Sequence, residues 1–93
     1  MVSIYLEDTM SVDTIFATAV ERMAEEQGKD IRVIAHDVIR LSSPDVSVRE
    51  FRRILRPDRQ GRYRTVTLRE AYEFSRIFGK TIDDMIATGL LES

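Results

Sequence analysis

Seven arginines, Arg49, Arg52, Arg53, Arg56, Arg59, Arg62 and Arg64, fall between positions 49 and 64 against only two acids, Glu50 and Asp58. No lysine interrupts the set. A planar guanidinium makes forked hydrogen bonds to phosphate and to the O6 and N7 edge of guanine, which an ammonium cannot match. The first four arginines stand at i, i+3, i+4 and i+7, the spacing that lines side chains along one helix face. Like charges so placed repel one another, and an anionic partner would offset that cost. Pairing with an acidic helix of the same chain, or docking to an acidic protein, are the competing explanations. The rest of the chain offers little chemistry. His36 is the sole histidine and cysteine is absent. Asp83 and Asp84 are explained by helix capping, and no glycine-rich loop follows a strand, so neither an enzyme nor a metal or cofactor site is expected.

The elements that would hold these arginines read as helices. Ser47-Val48-Arg49-Glu50 has capping-box spacing and opens a helix of about two turns, with Val48, Phe51, Ile54 and Leu55 as its apolar face and Pro57 as its end. Arg56 to Arg64, with Pro57, Asp58 and Gly61, reads as a basic loop in which Tyr63 packs on a sugar or covers the loop's underside. Upstream, Ile15, Phe16, Ala19, Val20, Met23 and Ala24 form the stripe of a first helix, capped by Ser11 or Asp13 and stopped at Gly28. Asp30 caps a second helix that buries Ile31, Ile34, Ala35 and Val38 and runs to about Leu41, with His36 beside that face. Thr67-Leu68-Arg69-Glu70 opens a fourth helix with Leu68, Ala71, Tyr72, Phe74, Ser75 and Phe78 inward and Gly79 as stop. Thr81 begins a short fifth helix that ends at Gly89, leaving Leu90 and Leu91 apolar beyond it.

The length of 93 residues fits one domain with a modest core. Residues 1–10, with Val2, Ile4 and Leu6 alternating, read as an N-terminal arm preceding a domain over 11–93. The net charge of -2 hides a polarity, because residues 1–30 carry seven acids against Arg22 and Lys29. Neither a signal peptide nor a membrane span is legible, so a cytoplasmic protein is expected.

The helix order resembles the Cro/CI-type (XRE), lambda-repressor-like helix-turn-helix family over residues 12–88. Phe74-Ser75-Arg76-Ile77-Phe78-Gly79-Lys80-Thr81-Ile82-Asp83-Asp84-Met85-Ile86 is similar to the family's fourth and fifth helices, and Gly28 to Ala35 to the opening of its second. Two features depart from the pattern. Ile31 stands where members commonly carry Gln, and Ala35 to Ser47 spans twelve positions rather than about six, so the second helix or the turn must be longer. The resemblance implies an all-α, five-helix DNA-binding domain with a lengthened turn. It places Val48, Arg49 and Arg52 at base edges and the 56–64 loop near the backbone, with Arg53, Arg56, Arg59, Arg62 and Arg64 as phosphate contacts. The expected function is a small bacterial or phage-type transcriptional regulator, a repressor that binds double-stranded DNA as a homodimer. The alternative is a protein-interaction module, such as an antitoxin or phage regulator that works mainly through a toxin or a host partner.

Overall fold

Polar caps set where the helices begin. Ser11 precedes α1 (Val12–Gln27) and its hydroxyl accepts the Thr14 N–H at 3.1 Å. Asp30 precedes α2 (Ile31–Ser42) and accepts the Arg32 N–H at 2.8 Å. Ser47 caps α3 (Val48–Phe51), which continues into a 3-10 turn, Arg52–Ile54. Thr67 caps α4 (Leu68–Phe78). Thr81 accepts the Asp84 N–H at 3.0 Å in the first turn of α5 (Ile82–Glu92). The computed structural model describes residues 11–92, and all regular structure among them is helical. The expected arm over 1–10 lies outside the described residues. No helix among the described residues is long and apolar enough to cross a membrane.

Three phenylalanines from three helices join the core. The Phe74 ring meets Phe16 edge-on at 5.6 Å between centroids and stacks on Phe51 at 6.1 Å, geometries that suit the ring quadrupole. Around them Val20, Val38, Ile54 and Met85 are fully buried, so all five helices and the 3-10 turn contribute to one cluster. The carboxy-terminal carbonyls of α4 find donors at the end of α1. Gln27 Nε2 donates to Phe78 O at 2.9 Å and Lys29 Nζ to Ile77 O at 2.6 Å, satisfying groups a helix end leaves without partners.

Three local expectations are corrected. The third helix has one α-helical turn, not two, before it tightens. Phe51, Ile54 and Leu55 turn into the core, whereas Val48, in the first turn after the Ser47 cap, is exposed rather than in the apolar face. The fourth helix is rotated from its expected face, with Leu68 and Tyr72 exposed and Glu70 and Glu73 buried beside Ala71, Phe74, Ser75 and Phe78. The second helix ends at Ser42, about where expected, and residues 43–46 connect it to the Ser47 cap. The fifth helix passes through Gly89 to Glu92, placing Leu90 and Leu91 on its last turn.

Gly89 is therefore not a stop but a point of close approach. A β-carbon there would lie 2.1 Å from the Ile15 carbonyl oxygen, a clash with backbone that no rotamer change relieves. Gly89→Ala should force α1 and α5 apart, costing about 2 kcal/mol or more and lowering the melting temperature by roughly 10 °C. Thermal unfolding followed by circular dichroism measures it, and a melting temperature within 2–3 °C of wild type, roughly, would contradict the packing.

Candidate nucleic-acid interface

The arginine-rich segment is fastened at both ends to one carboxylate. Glu70 is fully buried in the first turn of α4. Its Oε1 accepts Arg64 Nη1 at 3.0 Å and the Thr67 N–H at 2.9 Å. Its Oε2 accepts Arg64 Nη1 at 3.2 Å and the Ser43 hydroxyl. Thr67 Oγ1 accepts the Glu70 N–H at 3.1 Å in return, completing the capping box. Burial pushes the Glu70 carboxyl upward, but hydrogen bonds from Ser43, the Thr67 N–H and Arg64, with the Arg64 charge, outweigh it and hold the group below the usual glutamate range. Ser43 lies just before α3 and Arg64 ends the basic loop, so Glu70 fixes where the intervening arginines stand. The Arg64 N–H also donates to Arg53 O at 2.8 Å, tying the loop's end back to the 3-10 turn.

Asp58 shapes the loop itself. Its Oδ1 accepts the Gln60 N–H at 2.8 Å and the Arg62 N–H at 3.0 Å, while its Oδ2 accepts Arg53 Nη2 at 3.2 Å. The Arg62 N–H, helped by the Gln60 N–H and the Arg53 and Arg62 charges, lowers the Asp58 pKa against a smaller effect of burial. Gly61 completes the turn at φ 79°, a left-handed conformation that favours glycine. Arg59 and Arg62 flank this turn and are exposed.

The expected site residues divide into two groups. Arg49, Arg52, Arg56, Arg59 and Arg62 are exposed and make no ion pair among the described residues. Arg53 is half committed to Asp58, and Arg64 is held internally by Glu70 with only 18% of its side chain exposed. Arg64, expected on a phosphate, thus serves the scaffold. Elsewhere Arg22, Arg32, Arg40 and Arg76 are each paired with a carboxylate, most of them neighbours on the same helix, while Arg69 of α4 is exposed and makes no ion pair among the described residues. Arg22 binds Glu26 at 3.0 Å and Glu92 at 3.3 Å, and no arginine of residues 49–64 pairs with the acids of α1. Pairing with the acidic first helix is thereby ruled out as the reason for the cluster.

Ser47 supplies only half of its expected box, accepting the Glu50 N–H at 3.1 Å without a return bond from Glu50. Val48, Arg52, Leu55 and Arg56 form one wall of an open groove of about 590 Å³. Ile31, Arg32, Ala35 and His36 of α2 and Glu21 of α1 line the opposite side, with Asp30 at the α2 cap. His36 is exposed there, as its place beside the apolar face suggested. Glu70 and Ser43 were missed as positioning residues. The available signal was an acid with capping-box spacing six positions after the last of seven arginines.

Comparisons with protein-family models, with curated proteins and with solved structures find no match to this chain.

Glu70→Gln should destabilise the protein by about 3 kcal/mol at pH 7, because it leaves the Arg64 charge largely buried without its counter-ion. A carboxyl whose folded pKa is depressed stabilises fully above its unfolded value, about 4.3, and that stabilisation is lost as pH falls through the lower folded value. The wild-type advantage should therefore hold from pH 7 to about pH 5 and shrink below about pH 4. Urea unfolding of both proteins across that range checks the sign, and an advantage that grows on acidification would be incompatible with this hub.

Proposed function

We propose that the chain binds double-stranded DNA through α3 and the loop that follows, as a sequence-specific transcriptional regulator of the lambda-repressor-like helix-turn-helix kind. One observation carries the reading. Five exposed arginines without ion pairs project from a single segment that a buried carboxylate holds in place, whereas the arginines of α1 and α2 are internally paired. Unpaired guanidinium groups keep their donors for phosphate and base edges, and a fastened backbone lowers the ordering cost of using them.

Roles follow from position. Arg49 and Arg52 stand on the rigid capped turn and suit base reading, with Val48 beside them offering an apolar contact to a thymine methyl. Arg56, Arg59 and Arg62 stand on or near the loop and suit phosphate, with Arg53 contributing in part. A homodimer is part of the proposal, because Leu90 and Leu91 are 51% and 86% exposed on the final turn of α5. Two copies would address half-sites roughly 34 Å apart.

Anisotropy titrations against DNA flanking the gene, at several salt concentrations, test the reading. Arg49→Ala should cost about 1–3 kcal/mol on the preferred site and relax the choice of base at one position. Arg59→Ala or Arg62→Ala should weaken all sequences alike and lower the salt slope by about one unit. Uniform losses in both sets would reduce α3 to an electrostatic patch. Unchanged DNA binding with lost capture of an acidic protein would replace DNA by that partner.

Sedimentation of the full chain at tens of micromolar, roughly, addresses the dimer. Leu90→Ser with Leu91→Ser should shift a dimer towards monomer, and a monomeric wild type both with and without DNA removes that part of the proposal.

A further inference from the structure

The groove between α1, α2 and α3 joins a small apolar floor to a wall of uncompensated positive charge. Ile31, Ala35, Val48 and Leu55 supply its aliphatic carbons. Arg52 and Arg56 stand on the α3 side, exposed and in no ion pair among the described residues. The Arg56 N–H donates to Arg52 O at 2.9 Å, an i to i+4 bond that places both side chains on one side of the turn. Arg32 and Asp30 at the start of α2 are paired with each other at 3.4 Å, and the other acid of the lining is Glu21 on α1. With Arg32 and Asp30 offsetting each other, two guanidinium groups on one wall face a single carboxylate on the other. That balance favours an anion.

Size narrows the occupant. A stable protein–protein contact takes roughly 800 Å² from each partner, whereas Ala35 and Leu55 are more than nine-tenths buried and only Val48 and the half-buried Ile31 offer much apolar surface. The volume of about 590 Å³ falls instead in the range of small-molecule sites, roughly 300–1,000 Å³, where apolar walls meet a few placed polar groups. Among the described residues the lining holds no phenylalanine or tyrosine, so the floor suits an alkyl chain rather than a stacked ring.

We propose that this groove binds an aliphatic carboxylate of medium chain length, with the alkyl chain along Ile31, Ala35, Val48 and Leu55 and the carboxylate on Arg52 and Arg56. A carboxylate matches the planar fork of guanidinium donors. Glu21 repels it from the α1 side, which fixes the orientation. Bound there, the ligand occupies the donors of Arg52 and Arg56 and covers Val48, and so competes with DNA. That competition rests on the DNA reading above, whereas the binding itself does not.

Octanoate is the probe, with acetate at matched sodium concentration supplying the charge without the chain and octan-1-ol the chain without the charge. Amide resonances of the full chain should shift at Ile31, Ala35, Val48, Arg52 and Leu55 and saturate at low millimolar octanoate, with acetate and octanol at least roughly tenfold weaker. Arg52→Gln with Arg56→Gln should weaken octanoate about tenfold and leave octanol unchanged, and Glu21→Gln should tighten octanoate roughly twofold. Equal shifts from all three compounds, shifts centred on Leu90 and Leu91, or octanoate binding untouched by the arginine pair would overturn the site. Shifts at these amides on raising protein concentration alone would assign the groove to a second copy, and saturation only by an acidic amphipathic peptide would assign it to a protein partner; either result overturns the proposal. In the anisotropy titration, octanoate at roughly ten times its dissociation constant should weaken DNA binding by the wild type about tenfold. Ile31→Gln, which loses apolar floor but no arginine, should keep its helical circular dichroism and its DNA binding while losing the response to octanoate. Saturation by octanoate with unaltered DNA affinity overturns the competition alone. Absence of DNA binding overturns the DNA reading, and the resonance shifts still decide the site.

Discussion

A buried carboxylate at the start of α4 determines what the arginine-rich segment can be. Taking Glu70 out of water is unfavourable unless each lone pair is engaged, and the engaged donors come from Ser43, Thr67 and Arg64. Two of these bracket α3 and its loop. The backbone between them, from the end of α2 to the approach to α4, is thereby held against the core as one piece. Phe51 and Ile54 anchor its middle from the other side, fully buried against Phe74 and its neighbours. A segment with so much like charge would otherwise have every reason to swing away from itself and expand into solvent.

Much of this was legible in the residue order, and what was not has physical reasons. Ser11, Asp30, Thr67 and Thr81 announced helix starts because a side-chain oxygen next to an apolar stripe has one strong local use, the capping of free N–H groups. Gly28 and Gly79 announced stops for the same kind of local reason. Gly89 did not, since the same residue type serves a left-handed stop and a close helix contact, and only the position of Ile15 on another helix decides between them. The rotation of α4 was hidden because Leu68 and Tyr72 fit an apolar stripe as well as any inward residue. What turned them outward was a long-range partner for Glu70. Charge counting located the arginines correctly yet could not say which were spoken for. Arg64 and Arg53 are engaged by Glu70 and Asp58, one six positions on and the other five, and such pairings depend on loop geometry that spacing does not fix.

The same division explains the net charge. Acids outnumber bases slightly over the whole chain, but on α1 and α2 they neutralise arginines nearby, as Glu26 does for Arg22 and Asp37 for Arg40. Of the six arginines that are exposed and in no ion pair among the described residues, five lie between positions 49 and 62 and the sixth is Arg69. A modest overall negative charge is thus compatible with a strongly positive local surface, and it opposes indiscriminate adhesion of the whole molecule to polyanions.

The brevity of α3 has a consequence for how much a surface of this kind could discriminate. One α-helical turn and one 3-10 turn together extend about 12 Å, which spans roughly three to four base pairs of a duplex. On the proposed reading, a single copy samples a word too short to occur rarely in any genome, so its information content is low whatever the quality of each contact. Uniqueness must then be assembled, from a second copy at fixed spacing, from several adjacent words, or from duplex shape beyond the bases touched. A recognition element trimmed to seven residues makes selectivity a property of the assembly rather than of the chain.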